Sequence, residues 1–176
     1  MRLTGAPVRR KNGWQRSNRL DASIICGGMV LNQDFKEFFE SLNANQVRYL
    51  VVGGYALAFH GHPHYTKDID VWIESSPDNA KCILKALASF GFGSGDLNIS
   101  DFLIPNQIIQ LGYEPSRIDI LTTIPGVDFV ECYPKRTVFK VDDVEVAVID
   151  LEGLKKNKKA SGRLQDLADV QDLDTN

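Results

Sequence analysis

A chain of 176 residues, 43% of them hydrophobic, can bury one substantial core but not two full domains. Its formal net charge of -3 singles out no class of partner, and Cys26, Cys82 and Cys132 lie far apart without a C-x-x-C spacing, which argues against a disulfide framework or a structural zinc site. No run approaches the ~18 apolar residues of a membrane span and the N-terminus lacks the apolar core of a secretory signal, so no membrane association and a cytoplasmic location are expected.

Residues 1–28 carry Arg2, Arg9, Arg10, Lys11, Arg16 and Arg19 against Asp21, a balance of +5 that leaves -8 on the rest. Gly5, Pro7, Gly13 and the Gly27-Gly28 pair interrupt a stretch without helical or strand period. It reads as a basic, disordered extension ahead of a domain at 29–176. Such an arm could touch nucleic acid or simply be mobile, and Met29, just before the first clear pattern, is a candidate start of translation.

From Asn32 to about Asn45 the residues Phe35, Phe38, Phe39 and Leu42 recur at helical spacing. Val47 to Val52 is a short apolar run suited to a strand, Gly53-Gly54 stops it, and Tyr55 to Phe59 makes one or two turns of helix. Asp68 to Glu74 alternates, with Ile69, Val71 and Ile73 on one face and Asp68, Asp70 and Trp72 on the other. Asp78 can cap a helix over 79–90. Strands follow at Ile108 to Leu111 and at Arg117 to Thr123, the second placing Arg117, Asp119 and Leu121 opposite Ile118 and Ile120. A hairpin turning at Asp142-Asp143 joins strands near Thr137 to Val141 and Val144 to Ile149. Helices at Leu151 to Ala160 and Arg163 to Leu173 close the chain, the last with a stripe of Leu164, Leu167, Val170 and Leu173.

The chemistry gathers in Tyr49 to Ile73. Two carboxylates one residue apart on a strand point the same way and repel each other unless a cation lies between them, and hard oxygen donors suit Mg²⁺ or Mn²⁺. Asp119 could join Asp68 and Asp70 if its strand is their neighbour. Three carboxylates can hold two divalent ions about 3.5 to 4 Å apart, the arrangement that serves phosphoryl or nucleotidyl transfer. Gly53 and Gly54 at a helix start can cradle phosphate or merely make a tight turn. His60, His62 and His64 lie on an irregular loop with no fourth zinc ligand at hand, so His64 and Lys67 read as phosphate contacts or as plain loop residues. Lys155, Lys156, Lys158, Lys159 and Arg163 form a basic cluster from which one lysine, with Lys158 the candidate, could neutralise a triphosphate; a solvated helix face is the alternative.

Together VVGGYAL, then T-x-D-I-D-V fourteen residues after the second glycine, then R-I-D-I-L, resemble the DNA polymerase beta superfamily of nucleotidyltransferases, in particular its small prokaryotic members. The late stretch with Lys158, Gly162, Arg163, Asp166 and Asp169 resembles the closing helix of the abortive-infection toxin type. The resemblance spans about Met29 to Leu173. It implies an α/β (α+β) nucleotidyltransferase fold, a small mixed β-sheet flanked by helices. It also implies that Asp68 and Asp70 bind both metals, that Asp119 binds one and favours deprotonation of the acceptor, and that Gly53 and Gly54 hold the β and γ phosphates. Relatives often carry Ser at the position of Gly54 and Arg at that of His64. They also tend to add a helical substrate domain, so acceptor recognition here is expected from the chain's own loops, a protein partner or a homo-oligomer.

The expected activity is therefore Mg²⁺-dependent transfer of an NMP from an NTP to a hydroxyl of a protein, RNA or small molecule. The alternative is a non-catalytic protein of the same fold, acting as a nucleic-acid-binding regulator or a toxin–antitoxin component.

Overall fold

The computed structural model describes residues 2–3, 31–62, 66–92, 97–114 and 116–175. His64, Met29 and all of the basic extension except Arg2 and Leu3 lie outside these. The two segments with alternating carboxylates are strands lying side by side: β3 (Asp68–Ile73) and β5 (Arg117–Leu121) pair in parallel, Asp70 opposite Asp119. β2 (Tyr49–Val52) runs antiparallel to β3 on its other side, with Val52 opposite Asp70. The sheet is completed by β1 (Arg2–Leu3), β4 (Gln107–Leu111), β6 (Thr137–Val141) and β7 (Val144–Val148) in the spatial order β1-β4-β5-β3-β2-β7-β6. β3 and β5 are thus interior strands of a mixed sheet.

Helices flank it. α1 (Gln33–Ala44) starts where Asn32 accepts the backbone N–H of Phe35 at 2.8 Å, a cap that contributes about 1 kcal/mol. Its apolar stripe, Phe35, Phe38, Phe39 and Leu42, is fully buried, and each phenylalanine so buried stabilises by roughly 1.5–3 kcal/mol. Phe38 packs on Phe90 and Phe39 stacks on Tyr49, which ties α1 both to the end of α3 (Pro77–Ser89) and to β2.

α3 departs from expectation at its start. Ser76, not Asp78, is the N-cap, accepting from the N–H of Asn79, and Pro77 takes the first helical position, where a missing N–H costs nothing. Asn79 consequently lies inside the helix and is buried, bonded to both backbone groups of Arg48 and to the Glu74 carbonyl, so it clamps β2 to the end of β3. Two short elements between β5 and β6, α4 (Phe129–Cys132) and a 3-10 turn at Tyr133–Lys135, have no periodicity long enough to betray them. They explain why Trp72, on the carboxylate face, is only 2% exposed: Phe129 packs edge-on against it at 5.1 Å.

α5 (Leu151–Ser161) and α6 (Leu164–Thr175) pack on each other around Gly162, whose φ of 66° turns the chain. Only the second half of the expected α6 stripe is core: Val170 and Leu173 are buried, whereas Leu164 is 88% exposed and Leu167 39%. Among the described residues no helix is long and apolar enough to cross a membrane, and Cys82 and Cys132 are free.

Candidate active site

Because β2 ends level with Asp70, the chain must turn away at the carboxylate. It does so into α2 (Gly53–Phe59), two residues earlier than the sequence suggests, with Gly53 at φ +67°. A Cβ on Gly53 would lie 2.3 Å from Asp70 Oδ2. The glycine is therefore demanded twice, by the left-handed backbone and by contact with the carboxylate.

Asp68, Asp70 and Asp119 share one face of the sheet, as alternation along β3 and the parallel register with β5 require. Arg117, two residues before Asp119 and opposite Asp68, lies among them. Its Nη2 donates to Asp68 Oδ2 and, at 3.2 Å, to Asp119 Oδ2. Its Nε stands 3.1 Å from Asp119 Oδ1, yet these two buried atoms are not aligned for a hydrogen bond and have no other partner. Among the described residues no three His, Cys, Asp or Glu side chains converge closely enough to hold a metal ion in this arrangement.

The three acids are neutralised unequally. Asp68 accepts from Thr66 Oγ1 at 2.9 Å as well as from Arg117. Asp119 has Arg117 and the side chain of Gln110, its partner on β4, but burial, helped by the charge of Asp68, outweighs them and holds its carboxyl above the usual range. For Asp70, burial and then the charges of Asp68 and Asp119 push the carboxyl up to about 7, against the weaker pull of Arg117 and Arg163.

Tyr55 joins the site although sequence reading passes it over. It sits in the first turn of α2, its ring edge-on to Phe35 at 5.5 Å, and burial followed by the charge of Asp68 raises its hydroxyl to about 12. Thr66 and Gln110 join the site through their bonds to Asp68 and Asp119. Thr66 stands two residues before Asp68, in the T-x-D-x-D string, whereas Gln110 declares itself only through the β4–β5 register.

Other candidates have different engagements. Lys158 is buried, its Nζ 2.8 Å from both Asp166 Oδ1 and Asp169 Oδ2, while Ser161 also donates to Asp166. It joins α5 to α6. Lys67 pairs with Glu114 at 3.1 Å on the surface. His60 Nε2 lies 2.7 Å from the Ile149 carbonyl and so ties the end of α2 to the strand side.

No family model and no curated protein matches the sequence. Among solved structures the chain resembles a candidate nucleotidyltransferase of Thermotoga maritima, with a TM-score of 0.57 and 16% identity over 85% of this chain and 97% of that one. An antigenic nucleotidyltransferase-like protein of Paracoccidioides brasiliensis is similar at a TM-score of 0.47 and 14% identity, over 79% of this chain and 72% of that one. The first likeness is one of fold: the mixed sheet with flanking helices is of the nucleotidyltransferase type.

Proposed function

We propose that this protein transfers an NMP from an NTP to a hydroxyl acceptor with the help of Mg²⁺ or Mn²⁺. The observation that carries the reading is the register of β3 and β5, which sets Asp119 beside Asp70 and puts three carboxylates on one face at the glycine turn into α2.

The donor set fits a hard divalent cation in kind. It consists of carboxylate oxygens alone, and Asp70 is pushed up to about 7 by burial and then by like charge, as expected of a ligand without a counter-ion. Asp68, Asp70 and Asp119 would hold the cation. Bound there, it would neutralise charge on the transferring phosphoryl group and lower the pKa of an attacking hydroxyl. The chain's own groups would do the rest. Asp119 would accept the acceptor's hydroxyl proton as its oxygen bonds to the α-phosphorus and pyrophosphate leaves with the bridging oxygen. The backbone N–H groups at Gly53 and Gly54 would face the β and γ phosphates, and Tyr55, protonated throughout the physiological range, would donate from beside Asp68.

Calorimetry with each of the four NTPs tests this. Binding that requires Mg²⁺ and is lost in Asp68→Asn is expected. Salt-sensitive RNA or DNA binding with no NTP binding would support instead the nucleic-acid-binding regulator or toxin–antitoxin component.

A further inference from the structure

The face that carries three carboxylates already holds a cation of its own. Arg117 ion-pairs with Asp68 through one nitrogen and meets Asp119 through two. Its side chain is 28% exposed, so its neighbours do not seal it in completely. It nonetheless fits imperfectly, since Nε and Asp119 Oδ1 are buried 3.1 Å apart without a directed bond. With the guanidinium in place, the carboxylates do not converge on a common point.

These facts have one physical origin. Acids packed on adjacent strands need positive charge, and a planar guanidinium can bridge two of them. What it cannot do is offer an open coordination position, and here its bonds go to Asp68 and Asp119. A divalent ion and this guanidinium therefore compete for the same oxygens.

We infer that Arg117 is a resident counter-ion that a divalent cation must displace from Asp68, and that it thereby sets the cation concentration at which the site fills. The inference rests on the metal-dependent reading above. It makes Arg117 a positioning residue with an opposing action: it partly neutralises Asp68 and Asp119 before a cation binds and raises the threshold for its binding. An incoming triphosphate would favour the exchange, because its oxygens offer the released guanidinium another anionic partner.

The test is Mn²⁺ binding, followed by electron paramagnetic resonance of free Mn²⁺, to the wild type, Arg117→Met and Arg117→Lys. Removing the competitor leaves three carboxylates for the ion, so Arg117→Met should bind Mn²⁺ at least about tenfold more tightly, while Arg117→Lys stays within about threefold of the wild type. Unchanged or weaker binding by Arg117→Met would overturn the inference while leaving the metal-dependent reading intact, since Arg117 would then be only a support for its neighbours. No Mn²⁺ binding by either the wild type or the variant would overturn both. Should Arg117→Met fail to fold, the wild type decides: Mg²⁺ titration should shift the Arg117 Nε–Hε resonance as its ion pairs break, and a resonance that stays put while Mg²⁺ binds would contradict the displacement.

Discussion

Gly53 and Asp70 face each other so closely that a methyl group on the glycine would sit 2.3 Å from a carboxylate oxygen. This contact joins the phosphate-cradle candidate to the middle acid, and it can be tested without any substrate. Gly53→Ala meets both a backbone at φ +67° and the Asp70 carboxylate, so it should cost about 2–4 kcal/mol of stability. Gly53→Ala combined with Asp70→Ala should recover the steric share and keep the backbone share. Urea unfolding of the two single variants and the double variant gives the coupling; simple additivity would show that the contact is not the source.

Asp70 makes the metal-free protein sensitive to pH in an unusual direction. Burial, then Asp68 and Asp119, raise its carboxyl to about 7, so the folded protein keeps a proton that the unfolded chain has released. The stability this confers is full below the unfolded value near 4 and declines as pH rises to about 7, at up to about 1.4 kcal/mol per unit. Asp70→Asn removes that slope. Denaturation at pH 5 and pH 8 with a chelator present should show the wild type losing ground to the variant by an amount on the order of 1–3 kcal/mol. A difference that does not change with pH would contradict the assignment.

Lys158 should matter to folding. Its ammonium is buried between Asp166 and Asp169, and removing one partner of such a cluster strands the others, at a cost of about 3–5 kcal/mol. Lys158→Met should show that loss by chemical denaturation, and Lys158→Met with Asp166→Asn and Asp169→Asn should restore much of it. Burial opposes ionisation of Asp166, but the bonds from Lys158 and Ser161 prevail and hold its carboxyl below the usual range. The cluster's contribution is therefore present above about pH 4 and fades as pH falls below it.

How these residues divide shows what the sequence could and could not say. Alternation alone put Asp68 with Asp70, and Arg117 with Asp119, because a strand has a period of two and one face must be buried. The three acids share a site only if the two strands are adjacent, and the parallel register of Asp70 with Asp119 meets that condition. Lys158 shows the opposite case. A run of lysines suggests a solvated or phosphate-facing surface, and only the packing of α6 reveals that one of them is buried between two acids of that helix. The same alternation places Trp72 on the polar face. It is buried there because α4, only four residues long, has no period to read. Ser76 displaced Asp78 as a cap because Pro77 favours the first helical position, a stronger local preference than that of the acid.

Tyr55 offers a check on the orientation of the substrate. Phenylalanine keeps the packing on Phe35, so Tyr55→Phe should leave stability within about 0.5 kcal/mol. If its hydroxyl donates to the nucleotide, kcat/KM should fall by about 3- to 12-fold, the worth of one neutral hydrogen bond. An unaltered kcat/KM would remove the hydroxyl from the site.

The central claim is that Asp68, Asp70 and Asp119 carry out nucleotidyl transfer. Its most direct measurement is incubation of the protein with each α-phosphate-labelled NTP, Mg²⁺ and a cell lysate, comparing the wild type with folded Asp119→Asn. Mg²⁺-dependent labelling of protein, RNA or a small molecule by the wild type, abolished by Asp119→Asn, is the predicted result. Labelling that persists undiminished in Asp119→Asn would contradict it.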